Sequence, residues 1–238
     1  MKNGFRNFMI AIITICGAWY IIQCTELGLS LKSIIGGESK LYLSEKDKSS
    51  DANNINIDKE LVLVNSERGL DKYYKPESLT IPDISFASGV SQEEKHVSGI
   101  IERPLEELVD AAKKDGVILF GNSGYRSYKS QENTYSNRVK SQGEKLADAY
   151  VAKPGFSEHQ TGLCIDITNR DRNLIKGTKE AEWLSENCYK FGFIIRYPYG
   201  KKSITGIEYE PWHIRSVGKN AAKYIHDNEI TLEEYLGK

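Results

Sequence analysis

The sequence predicts an α+β domain, a small central antiparallel sheet with helices around it. Three observations lead there. Apolar runs of strand length are few and lie scattered along the chain. Between them come segments whose apolar residues recur at helical spacing, and no internal repeat is visible. Hydrophobic content of 39% and charged content of 27% suit a globular body with a solvated surface.

Each element has its own warrant. LVLVN, Leu61 to Asn65, reads as a strand ending in a turn, and the domain is expected to run from 61 to 238. In Arg103 to Gly116, Leu105, Leu108, Val109 and Ala112 share a helix face, with Gly116 as the stop. VILFGNSGYRS is a strand running into a loop, and Tyr128 to Tyr150 is polar with helical stretches. GLCIDI is a buried strand. Gly177 to Gly192 is a helix capped by Thr178, with Ala181, Trp183, Leu184 and Cys188 toward the core. FIIRYP and IEYEPWHIRSVG are further strands, and NAAKYIHDN and TLEEYLGK are short closing helices.

The first 60 residues differ from this body. Residues 1–7 carry Lys2 and Arg6 and no acid, and Phe8 to Ile22 is uncharged. With the flank to Thr25 the run approaches the roughly 20 residues of a membrane span. Residues 8–25 therefore read as a signal anchor, with a cleaved signal as the alternative; no A-x-A-like site follows. The leading positive charge places 1–7 in the cytoplasm and the rest outside, at the cell membrane. Residues 26–60, rich in Ser, Lys, Asp and Asn, read as an extracytoplasmic linker. A net charge of −1 leaves no basic surplus for a nucleic-acid partner. Cys16 and Cys24 fall in the apolar segment; Cys164 and Cys188 are either a disulfide or two buried thiols.

The chemistry centres on SEHQTGLCIDIT, Ser157 to Thr168. Gly162 permits a turn after His159, and strand alternation then sends Leu163, Ile165 and Ile167 to one face and Cys164 and Asp166 to the other. A turn before a strand brings His159 and Asp166 to one point, two-thirds of a catalytic zinc site. The third ligand comes from EYEPWHIR: Pro211 breaks the ladder, so a bulge allows Glu210 and His213 to face one site. His213 then binds the metal, and Glu210 stands off it as a base for water. Ordinary alternatives remain. Either histidine alone is more often a hydrogen-bonded core residue, and Asp166 can instead pair with Arg126 or Arg215. Cys164 shares a face with Asp166 but has poor ligand spacing. His96 and His226 sit in contexts without partners. The same donor set accepts manganese or iron.

Ser157-x-His159-x-x-Gly162-x-x-x-Asp166, followed by Glu210-Pro211-Trp212-His213, resembles the zinc D-alanyl-D-alanine carboxypeptidases of the VanY type, a group that includes VanX dipeptidases and LdcB-type L,D-carboxypeptidases. LVLVN, SGYRSYKSQ and FGFIIRYP look like landmarks of the same family, and the likeness runs from about Leu61 to Gly218. Cys164 departs from it, standing where the family's motif usually has alanine. The resemblance implies one zinc ion held by His159, Asp166 and His213, with Glu210 as general base. It implies that Arg126 of SGYRSYKSQ seats a terminal carboxylate through a bidentate pair, with Gln131 and Ser157 lining the substrate cleft. Tyr125, Tyr197 and Trp212 are core or cleft wall. The expected reaction is removal of the C-terminal D-alanine from peptidoglycan stem peptides. An L,D-carboxypeptidase, a D,D-dipeptidase and a non-catalytic cell-wall binder are the alternatives, the last opposed by the presence of Glu210.

Overall fold

The computed structural model describes residues 57–238. The expected cytoplasmic N-terminus, anchor and most of the linker lie outside the described residues. Among the described residues no helix is long and apolar enough to cross a membrane. The folded body begins with a single helical turn, Ile57–Glu60. Glu60 Oε1 accepts a 2.7 Å hydrogen bond from Ser216 Oγ, which joins the end of the expected linker to the domain.

Four strands form the central antiparallel sheet: β3 (Phe120–Ser123), β4 (Cys164–Thr168), β5 (Phe193–Tyr197) and β6 (Glu210–Ser216), in the spatial order β3-β4-β6-β5. A two-stranded ribbon of β1 (Leu79–Thr80) and β2 (Val97–Ser98) lies beside it. One face of the sheet carries the core. Ile165, Ile167, Ile214 and Phe193 pack there with Ile101, Leu105, Leu108 and Ala112 of helix α1 (Gly99–Lys114). Their spacing repeats every three to four residues, the apolar stripe of an amphipathic helix. Ala181, Trp183 and Leu184 of a later helix, Lys179–Asn187, join the same cluster, and Trp183 Nε1 donates to Asp115 Oδ2 at 2.8 Å. Thr178 caps that helix by accepting from the Ala181 amide, as expected.

The sheet's other face is polar and bears Asp166, His213, Arg196 and Arg215. Over it come the helices α2 (Tyr128–Gln142) and α3 (Glu144–Tyr150), a 3-10 turn at Glu158–Thr161, and a C-terminal cluster in which Ala221, Ala222, Ile225 and Leu232 pack on Ile194.

The sequence expectations need two corrections, and one open alternative closes. LVLVN is not a strand: among the described residues it has only an isolated bridge between Asn65 and Arg68. Its Val62 carbonyl instead accepts from Arg215, and its apolar side chains divide between the two core clusters. The first long helix starts at Gly99 rather than Arg103 and carries Pro104 inside it. Gly99 and Pro104 both look like helix breakers, but burial of Ile101 and Leu105 outweighs their propensity. Cys164 and Cys188 are free buried thiols. Cys188 belongs to the core cluster on one face of the sheet, whereas Cys164 alternates to the other, so no disulfide joins them.

Candidate metal centre and substrate cleft

The site is built where β3, β4 and β6 lie abreast: Asp166 is paired with Ser123 on one side and with His213 on the other. The expected bulge is present in β6. Ile195 pairs with Ile214 and Tyr197 with Glu210, so Arg196 alone faces the stretch Pro211–His213. The extra residues turn both Glu210 and His213 into the cleft. His159 arrives from the 3-10 turn, which ends at Gly162 in the left-handed region with φ 68°. The Gly162 carbonyl accepts from the Ser98 amide at 2.8 Å, and a Cβ on Gly162 would lie 2.8 Å from that nitrogen.

The imidazoles sit with their centroids 5.0 Å apart and their planes at 86°. Asp166 lies between them, Oδ2 3.5 Å from His159 Nε2 and Oδ1 3.0 Å from His213 Nδ1. Two donors tetrahedrally bound to one zinc at about 2.0–2.1 Å stand roughly 3.4 Å apart. Asp166 Oδ1 is nevertheless a buried oxygen with no hydrogen-bond donor: the neighbouring Nδ1 is close but not aimed along a hydrogen bond. Atoms that share a third centre are placed this way, and a divalent cation fits the set. His159, Asp166 and His213 are the residues that can hold it. Cys164 also lies within 4.8 Å of ligand atoms of both histidines. Burial raises its thiol pKa, which disfavours the thiolate a metal requires.

Backbone and buried carboxylate fix the two rings. His159 Nδ1 donates to the Gly124 carbonyl at 2.6 Å, leaving Nε2 for the ion. That carbonyl reaches the ring because residue 124 is glycine; a Cβ there would sit 2.3 Å from the His96 carbonyl oxygen. Burial, with Arg126 nearby, holds the His159 pKa down at about 3, so its ring is neutral. Burial also opposes a charge on Asp166, yet His159, His213 and Arg126 outweigh it and keep its pKa well below the usual carboxylate range. His213 Nε2 faces Glu158 Oε2 at 3.4 Å.

Glu210 stands slightly outside this set, with Oε2 3.9 Å from His213 Nδ1. Burial pushes its pKa up to about 8, against the attraction of His213 and Arg126. A carboxyl poised near neutrality takes and returns protons efficiently. The cleft beside it has a volume of about 590 Å³, and Arg126, Gln131, Ser157, His159, Asp166, Glu210 and His213 all line it. All the expected site residues therefore border one space. Arg126 is held by Ser123 Oγ at 3.2 Å and Gln131 Oε1 at 2.7 Å, and its Nη2 lies 3.7 Å from Asp166, beyond hydrogen-bond reach. Gln131 spends its amide on the Ala152 carbonyl at 2.7 Å, so both its polar ends orient Arg126. Tyr197 forms cleft wall, its ring 5.0 Å from that of His213, and Trp212 lines the same wall. His226 stacks on Tyr189, and His96 Nδ1 bonds the Gln92 carbonyl oxygen; neither histidine lines the cleft.

A family model described as VanY, D-alanyl-D-alanine carboxypeptidase, matches residues 94–219, more than half of the chain. The chain belongs to the VanY family. It is a peptidase, a hydrolase of peptide bonds. This VanY-family chain is similar to YodJ of Bacillus subtilis (strain 168), named as a carboxypeptidase. The two are 45% identical over 183 residues, 75% of this chain and 67% of that protein. Its fold matches the solved LdcB LD-carboxypeptidase with TM-score 0.71 and 45% identity, over 77% of this chain and 88% of the other. It also matches the D,D-pentapeptidase VanY from a VanB-type resistance cassette, solved in complex with Zn(II). That TM-score is 0.64 with 37% identity, over 75% of this chain and 99% of the other. The chain spans about half the length of two D-alanyl-D-alanine carboxypeptidases from Enterococcus.

Sequence reasoning missed three buried polar residues behind this VanY-type site, Glu158, Arg196 and Glu233, and offered Arg215 to Asp166, whereas the structure pairs Arg215 with Glu158. Arg196 and Arg215 both donate to Glu158 Oε1, at 2.7 and 2.5 Å. A signal was available in FIIRYP and WHIR, where an arginine interrupts an apolar strand and must find a buried partner.

Proposed function

We propose that this chain is a zinc-dependent carboxypeptidase that removes the C-terminal D-alanine from peptidoglycan stem peptides, with His159, Asp166 and His213 as ligands to one zinc ion. The observation that carries the reading is the convergence of His159 Nε2, Asp166 and His213 Nδ1 beside a free carboxylate, Glu210, in a cleft that also holds Arg126. Bound zinc supplies Lewis acidity toward water and the scissile carbonyl. Arg126, braced by Ser123 and Gln131, seats the substrate's terminal carboxylate and so selects cleavage at a free end. Ser157 lines the cleft beside His159. Glu210 takes a proton from the attacking water and returns it to the leaving amine, which its pKa of about 8 suits. The cell-wall substrate agrees with a domain carried outside the membrane by residues 8–25.

An L,D-activity is the second reading, favoured by the likeness to LdcB at 45% identity. Incubation with a defined pentapeptide ending in D-alanyl-D-alanine and with the tetrapeptide lacking the last residue, followed by mass analysis, separates them. Loss of one alanine from the pentapeptide alone supports the D,D reading. Loss from the tetrapeptide supports the L,D reading, and no release from either refutes both.

A further inference from the structure

We propose that Glu158, backed by Arg196 and Glu233, is a positioning residue that sets the metal affinity of the site by holding His213. This makes the C-terminal turn part of the metal centre, and it rests on the zinc reading given above. Glu158 is 2% exposed and sits next to His159 in the chain. Its Oε1 accepts from Arg196 Nε and Arg215 Nη1, while Oε2 faces His213 Nε2 at 3.4 Å. Arg196 gives its two Nη groups to Glu233, at 2.9 and 2.6 Å. Glu233 lies in a helical turn, Leu232–Tyr235, closed by a capping box between Thr231 and Glu234. Arg215 Nη2 donates to the carbonyls of Glu60 and Val62 at 2.8 and 2.7 Å. Segments from both ends of the domain thus meet behind one imidazole.

The charges in this network are informative. Glu158, Glu233, Arg196 and Arg215 are all buried, and two carboxylates balance two guanidiniums. His213 turns Nε2 toward Glu158 Oε2 and Nδ1 toward Asp166 and the cleft, so the carboxylate holds one ring nitrogen and leaves the other facing the ion. A carboxylate behind a ligating imidazole fixes its tautomer and orientation, and losing such a partner lowers metal affinity about 10–100-fold. Glu158 is itself held by both arginines, so it cannot turn away from the ring.

The test compares the full chain with Glu158→Gln and Glu233→Gln. Zinc affinity is measured by competition with a chromophoric chelator, and melting temperature is recorded with and without zinc. Glu158→Gln should weaken zinc binding about 10–100-fold. Glu233→Gln should weaken it less, in the same direction, and the rise in melting temperature on adding zinc should shrink in both. If Glu158→Gln does not fold, Glu233→Gln decides alone, since it leaves Arg196 paired with Glu158. Variants that bind zinc within twofold of wild type while their zinc-free forms melt lower would overturn the proposal and leave the network only structural. A wild-type chain that binds no zinc would instead overturn the metal reading itself, a different result.

Discussion

Replacing Glu210 by glutamine separates the roles of base and ligand. Glu210 Oε2 lies 3.9 Å from His213 Nδ1, whereas Asp166 Oδ1 lies 3.0 Å from it, so the substitution removes the proposed proton carrier and spares the proposed metal donors. Loss of a positioned general base lowers turnover about 10²–10⁴-fold, or about 3–5 kcal/mol in the barrier. Stability of the zinc-free protein should move the other way. The Glu210 carboxyl holds its proton up to about pH 8 when folded and to about 4.5 when unfolded. Stability is therefore full below pH 4.5 and is lost as pH rises toward 8, because the unfolded chain ionises first. At pH 7 the loss is about 3 kcal/mol, and glutamine, which does not titrate, escapes it. The variant should match wild type in urea at pH 4 and exceed it at pH 7. D-alanine release, metal content by mass spectrometry and urea melts at both pH values check the three parts. Normal turnover removes Glu210 as the base. Loss of metal along with turnover makes it a ligand. A stability difference that does not depend on pH refutes the account of its buried charge.

Arg126→Ala should lower kcat/KM about 10–100-fold for peptides with a free C-terminal carboxylate, from the loss of about 1.5–3 kcal/mol in charge-assisted hydrogen bonds; an unchanged preference for free over amidated ends refutes its role. His213→Ala should reduce bound zinc well below one ion per chain by mass spectrometry, and full occupancy would place the ion elsewhere. Gly162→Ala should cost about 1–3 kcal/mol, because φ is 68° and the new Cβ meets the Ser98 amide nitrogen at 2.8 Å. A urea midpoint equal to wild type would contradict that strain.

Two local patterns on the sheet's polar face are legible in the sequence. Alternation from Leu163 to Ile167 follows from strand geometry, and a proline between Glu210 and His213 is a visible reason for a bulge. LVLVN misleads because a continuous apolar run is the same whether its amides meet a strand or its carbonyls meet an arginine. Only the family resemblance points to Gln131; its bonds to Arg126 and Ala152 depend on how α2 lies over the sheet. The network of Glu158, Arg196, Arg215 and Glu233 was invisible for a related reason. Its partners are far apart in sequence, and no spacing rule links them.

The irregularity in β6 sets a boundary on what this scaffold can become. Straightening the strand opposite Arg196 would swing Glu210 or His213 out of the cleft while leaving most of the sheet's ladder intact. A short deletion there would keep Arg126 in the cleft while moving Glu210 or His213 away from Asp166. On the function proposed above, hydrolysis and mere recognition would differ by a slip of register in one strand.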